Sequence, residues 1–242
     1  GILVHSARWS SAMHARVTDL KGRKRVQNLV RAFGYGTPDL TRARSSFRNA
    51  LTLIAQDELQ PYEAGATKDM RFHRLPWPRQ ELATLGESPV TLRVVLSYFI
   101  EPNPGDRGWK YKHRYASHGL RFDVRTPTES EEEFRKRING ALREEDEGAT
   151  PSDAERWTLG PDLRSTGSLH VDMWEGSGAE LALRDTIAVY PVVGWWRERH
   201  QLGRSRKARY SLIVSIETPV ESVELYAAVE NLLKVDVPVL AR

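Results

Sequence analysis

Cysteine is absent from all 242 residues. Disulfide staples and thiolate metal centres are therefore excluded, and the chain suits a reducing, cytoplasmic setting. No apolar run approaches the ~20 residues that a transmembrane helix requires, so no membrane partner is expected. A signal-peptide layout is lacking, as is an initiator methionine. Opening on the apolar Gly1-Ile2-Leu3-Val4, the chain reads as a piece of a longer protein. Charge of one sign is scarce too: 36 Lys+Arg stand against 32 Asp+Glu, a net +4. That excess falls well short of a dedicated nucleic-acid binder. The basic clusters at residues 21–25 and 197–209 read as solvated surface.

The motifs of common chemistries are lacking as well. Gly34-Tyr35-Gly36 follows a helix and has no third glycine, so it does not cradle phosphate. His113 and His118 share a loop without carboxylate company, and His73, His170 and His200 are scattered, so no metal or cofactor is expected. Ser177 is flanked by Gly176 and Gly178 but lacks nucleophile-elbow spacing, and reads as a flexible turn. Ser117 and His118 are neighbours in sequence, which by itself implies no hydrogen bond. Asp123 and Asp172 fall in strand-like runs and read as solvated surface. No catalytic residue is assigned.

What is present is β-pattern. In residues 90–100, Val90, Leu92, Val94, Leu96, Tyr98 and Ile100 share one parity, opposite Thr91, Arg93 and Ser97. Strand side chains alternate faces, so this is a long strand with one apolar and one mostly polar face, of the kind found at a sheet centre. Residues 51–56, 70–75, 120–124, 169–174, 186–193 and 209–217 read as further strands. Upstream, residues 2–8 read as the end of a buried helix. Val26, Leu29, Val30 and Phe33 mark an amphipathic helix stopped by Gly34. Thr37 and Pro38 open another, with Leu40, Ala43 and Phe47 as its stripe. Thr128 with Glu131 forms a capping box for a helix carrying Phe134, Ile138, Ala141 and Leu142. Residues 148–152 read as loosely held, and the tail from 220 as a short helix or an edge strand. The expected fold is mainly β: a jelly-roll-like antiparallel β-sandwich with an N-terminal helical segment and one inserted helix.

The long segment 101–117 mixes proline, glycine, aromatic and basic residues, as functional loops do. Trp109, Lys110, Tyr111, His113 and Arg114, with Trp195 and Trp196 of a second loop, form the candidate interaction surface. Trp77, Trp109, Trp195 and Trp196 would stack on sugar rings if exposed and coplanar, the pattern of a carbohydrate-binding module. Arg107, Lys110, Lys112, Arg114 and residues 204–209 interleave charge with aromatics, the weaker nucleic-acid alternative.

Two motifs carry a family resemblance. Leu3-Val4-His5-Ser6-Ala7 is similar to the L-x-x-[ST]-A element near the end of the subtilisin-like (subtilase, S8) serine protease domain. Phe33-Gly34-Tyr35-Gly36-Thr37-Pro38-Asp39, running to Ala43, resembles that domain's final Y-G-x-G turn and helix, with Pro38 where an aliphatic residue is usual. Residues 48–61, 96–109 and 114–124 resemble the C-terminal β-sandwich carried by a group of bacterial S8-type peptidases. The resemblance implies that residues 1–49 close a catalytic domain and that 50–242 form an accessory sandwich. It also implies that the Asp, His and Ser of the triad lie before Gly1, so that the catalytic unit is this chain's first partner and a protein substrate or partner its second.

Overall fold

The computed structural model describes residues 1–44, 50–103, 115–143, 154–198, 206–219 and Leu225. The N-terminal segment holds four helices: α1 (Ile2–Ser6), α2 (Ser11–Ala15), α3 (Gly22–Phe33) and α4 (Leu40–Arg44). After it come β1 (Ala50–Leu59), β2 (Tyr62–Glu63), β3 (Ala66–Thr67), β4 (Arg71–Arg74), α5 (Arg79–Thr84), β5 (Pro89–Tyr98) and β6 (Gly119–Val124). The remainder is α6 (Glu131–Arg143), α7 (Gly160–Arg164), β7 (Leu169–Ser177), α8 (Gly178–Leu181), β8 (Thr186–Val192), α9 (Trp195–Glu198) and β9 (Ala208–Glu217).

The chain is mainly β and antiparallel. A four-stranded sheet has the order β1-β9-β5-β7, and a three-stranded sheet the order β4-β8-β6. Apart from the two-residue strands β2 and β3, successive strands alternate between these sheets. The even residues of β5 meet Leu120 and Phe122 of β6 and Ile187 and Val189 of β8 in one buried cluster. The predicted long strand is therefore interior to its sheet, flanked by β9 and β7.

Its second face departs from expectation. Arg93 and Val95, on the parity expected to face solvent, are buried. Val95, Val171 and Ile213 form a second apolar cluster there, covered by Val4 and Tyr35 of the N-terminal segment. That segment thus packs on the outside of the four-stranded sheet. On the far side of the molecule, α6 lays Phe134 and Ile138 on Ala188 and Tyr190 of β8. With layers on both faces, β8 is apolar almost throughout, as a doubly covered strand must be.

Several local expectations are corrected. Ile2 and Leu3 of α1 are exposed, and its buried side is His5 and Ser6. Thr37 does not cap α4. Asp39 does, its carboxylate accepting the Arg42 N–H at 2.9 Å. The cap of α6 is Ser130 with Glu133, not Thr128 with Glu131: the Ser130 N–H donates to Glu133 Oε2 at 2.8 Å, and the Glu133 N–H donates back to Ser130 Oγ at 3.2 Å. Ser177 is no loose turn, since it caps α8 in a reciprocal box with Glu180. Instead of one inserted helix, α5, α6, α7, α8 and α9 all lie between strands. Phe47, residues 148–152 and all of the tail beyond 219 except the buried, helical Leu225 lie outside the described residues.

Candidate functional site

The seam between the N-terminal helices and the four-stranded sheet joins them through buried polar groups, among them Arg93, His5 and Ser215. Two segments far apart in sequence meet there. Arg8 and Thr37 exchange backbone hydrogen bonds of 3.1 and 2.9 Å, and the Asp39 N–H donates to Ser6 Oγ at 3.3 Å. Gly36 makes this possible. Its φ is +96°, and a Cβ would sit 2.3 Å from the carbonyl carbon of Arg8, so no other residue fits.

From the sheet, Arg93 reaches up through Nη2 to donate to the carbonyls of Val4 and Ala7, both at 3.1 Å. The Val4 carbonyl also accepts the Ala7 N–H at 3.2 Å, so it takes two donors at the end of α1. His5 Nε2 shares a 2.9 Å hydrogen bond with Ser215 Oγ of β9. Arg8 pairs with Glu217 at the end of β9, and the Tyr35 hydroxyl donates to the Leu169 carbonyl at 3.2 Å. Burial, then the positive charges of Arg93 and Arg8, push His5 down to about 4, so it is neutral at neutral pH. Burial, then Arg8, push Arg93 down to about 9, and it remains a cation there.

The sequence-predicted interaction residues divide. Trp109, Lys110, Tyr111, His113 and Arg114 lie outside the described residues, as do Arg107 and Lys112. Their stem is visible: Glu101 and Asn103 pair with Ser117 and Tyr115 as a short antiparallel ladder. Trp195 and Trp196 stand beside it. Trp195 is buried and donates Nε1–H to the Glu101 carbonyl at 3.0 Å, while Trp196 donates to the Glu101 carboxylate at 3.1 Å. Their rings meet at 80° and Trp77 is buried elsewhere, so these three tryptophans present no flat stacking row. Arg206 lies over both rings of the pair at 5.0 and 5.3 Å. Lys207 and Arg209 engage Glu58, so these basic side chains form no open phosphate track.

Sequence reasoning missed what lies under those rings. His118 stacks on Trp196 with centroids 4.8 Å apart, and Tyr98 stands 5.6 Å from both His118 and His170. Ser117 Oγ and His118 Nδ1 are 3.0 Å apart, the arrangement of a nucleophile and its base. Yet Ser117 is 0% exposed and already accepts the Glu101 N–H at 2.9 Å. Among the described residues no carboxylate bonds to His118. A serine sealed from solvent attacks nothing; the pair is structural.

Asp123 and Asp172 are not solvated surface but fully buried, and one arginine joins them. Arg164 Nη2 donates to Asp123 Oδ1 at 2.8 Å, and Nη1 to Asp172 Oδ2 at 3.4 Å. Burial pushes both carboxyls up and Arg164 pulls them back. Among the described residues no group of three or more His, Asp or Glu side chains has the geometry of a metal site.

The buried histidines set an acid limit on the fold. His5, His118 and His170 are each pushed down to about 4, with burial the first cause, from an ordinary value of 6.5. Above that ordinary value both folded and unfolded chains carry them neutral. As pH falls from 6.5 towards 4, the unfolded chain takes up protons that the folded chain refuses. Stability should then drop by up to about 1.4 kcal/mol per pH unit for each histidine. Urea midpoints between neutral pH and pH ~5 check this, and the His170→Gln protein should show a shallower slope. Asp123 and Asp172, raised by burial, act with the opposite sign, so the difference between the two slopes is the readout: a His170→Gln profile parallel to the parent's would contradict the burial of that ring.

Comparison with family models, with curated proteins and with solved structures finds no match to this chain.

Proposed function

We propose that this chain is a non-catalytic C-terminal part of a subtilisin-like serine endopeptidase, whose β body braces the catalytic unit and helps present substrate or partner to it. In this reading the alternating strands form a jelly roll, in which two Greek keys distribute successive strands between two sheets. The observation that carries the reading is the seam. The two motifs that resemble the end of the protease domain are bonded to each other through Arg8–Thr37 and Ser6–Asp39, and to the sheet through Arg93, His5 and Arg8. Helices closing a catalytic unit would thereby be fixed to the β body by charged and polar contacts that loosen only together. Ile2, Leu3 and Leu40 remain exposed on those helices and supply apolar surface for that unit.

By itself the chain should hydrolyse no peptide bond. In the full-length protease, removing residues 50–242 should lower the thermal midpoint and peptide hydrolysis together. The seam variant Arg8→Ala/Glu217→Ala should reproduce part of the loss. Unchanged stability and turnover in the truncated enzyme would end the bracing proposal.

A further inference from the structure

Arg93 is an anomaly in charge terms. It is 4% exposed, yet no carboxylate among the described residues contacts it. Its Nη2 serves two carbonyls and, among the described residues, its Nη1 meets only the weak acceptor Sδ of Met173 at 3.2 Å and its Nε has no partner. Beside it lies a cavity of about 50 Å³, walled by Arg8, Trp9, Tyr35, Arg93, Val171 and Met173. Arg8 and Arg42 oppose the charge of Arg93; Glu217, which favours it, is already paired with Arg8, and Tyr35 favours it more weakly. A buried cation without a counter-charge is costly, and proteins normally pair it.

We propose that this cavity is a binding site for a small monovalent anion of the halide class, held by the Arg93 guanidinium at the seam. The space exceeds the ~10–15 Å³ that a single water needs, so a monatomic anion fits with a water beside it. Its apolar walls offer poor solvation to a cation and little competition to an ion that accepts the Nε–H. Once bound, the anion neutralises the charge that Arg93 carries into the sheet, and so favours docking of α1. The inference stands on the cavity and on Arg93, whatever the β body does in a longer protein.

The test uses the 242-residue chain, freed of halide, in sodium gluconate. Titration with sodium chloride or bromide at constant ionic strength should raise the thermal midpoint saturably. Crystals grown in bromide should show an anomalous peak beside Arg93. Val171→Leu fills the cavity while leaving Arg93 in place, and should abolish the difference between bromide and gluconate whatever its own baseline stability. Arg93→Met should do the same if it folds. Equal midpoints in gluconate and halide, or only water beside Arg93, would overturn the proposal. So would a bromide peak with no saturable response in solution, which marks an adventitious ion only.

Discussion

Replacing Arg164 with methionine should cost about 3–5 kcal/mol of folding stability, the range seen when one partner of a buried charge network is removed. The guanidinium lies between the rings of Phe122 and Trp157, 4.4 and 5.0 Å from their centroids. It bonds Asp123, Asp172 and the Phe122 carbonyl, tying α7 to β6 and β7. Without it, Asp172 keeps the N–H groups of Leu159, Gly160 and Met173, and Asp123 keeps the Tyr190 hydroxyl and Arg137, but the two charges lose the cation they share.

The sign of the pH response follows. Both carboxyls already sit above their ordinary value, so each subtracts stability as pH rises through the window between its unfolded and its folded value. Losing Arg164 moves the upper edge of that window higher. The deficit of Arg164→Met relative to the parent should therefore be largest at neutral pH and shrink on acidification. Urea denaturation at two pH values measures it, and adding Asp123→Asn should recover part of the loss. A deficit below about 1 kcal/mol, or one that grows in acid, would show that the carboxylates do not depend on this arginine.

Trp174→Ala should be comparably damaging, at about 3–5 kcal/mol. The ring is 0% exposed, sits opposite Leu92 in the β5–β7 ladder, and has the guanidinium groups of Arg156 and Arg184 at 5.0 and 4.4 Å. Truncation leaves a large cavity in the shared core and takes away the aromatic face on which the buried Arg184 rests. Trp174→Phe keeps an aromatic face and should lose less than half as much. Chemical denaturation of both variants checks the order. A cost for the alanine variant of under about 1.5 kcal/mol would mean that the core collapses around the gap far better than a two-sheet core normally can.

Periodicity made the sheets legible. The alternation across β5 marked it as long and interior; β8 was legible as a strand, but its burial on both faces came only with the packing of α6 and of the second sheet. Short helices escaped because five or six residues show no period. Arg79–Thr84 is such a helix, and of its six residues only Leu82 is buried in the core. The cap of α6 was misplaced because the segment Thr-Glu-Ser-Glu-Glu-Glu satisfies the same pattern from Thr128 and from Ser130. The start that puts Phe134 and Ile138 on β8 prevails, since core contacts outweigh a cap worth about 1 kcal/mol.

The polar interior was illegible for a different reason. Asp123 lies 41 residues from Arg164, and His5 lies 210 residues from Ser215. Nothing local distinguishes a solvated aspartate from one that a distant arginine will neutralise. Arg93 misled in the same way. Its place on the polar parity of a strand implied water, and it was covered only because the first helices fold back over that face. Trp195 and Trp196 stand out in the sequence as adjacent aromatics, but the burial of Trp195 and the stacking of His118 on Trp196 depend on contacts between distant segments.

From its residues alone this chain settled where the main strands lie, that the even parity of β5 enters the core, and that thiol chemistry is closed to it. These follow from backbone geometry and side-chain type, which act over a few residues. Only the folded molecule decided that the outer face of the four-stranded sheet is covered, that two aspartates share one arginine, and that Arg93 lies buried with no carboxylate among the described residues in contact with it. Those outcomes depend on desolvation and charge compensation between groups far apart in sequence, quantities that exist only once the chain has closed on itself.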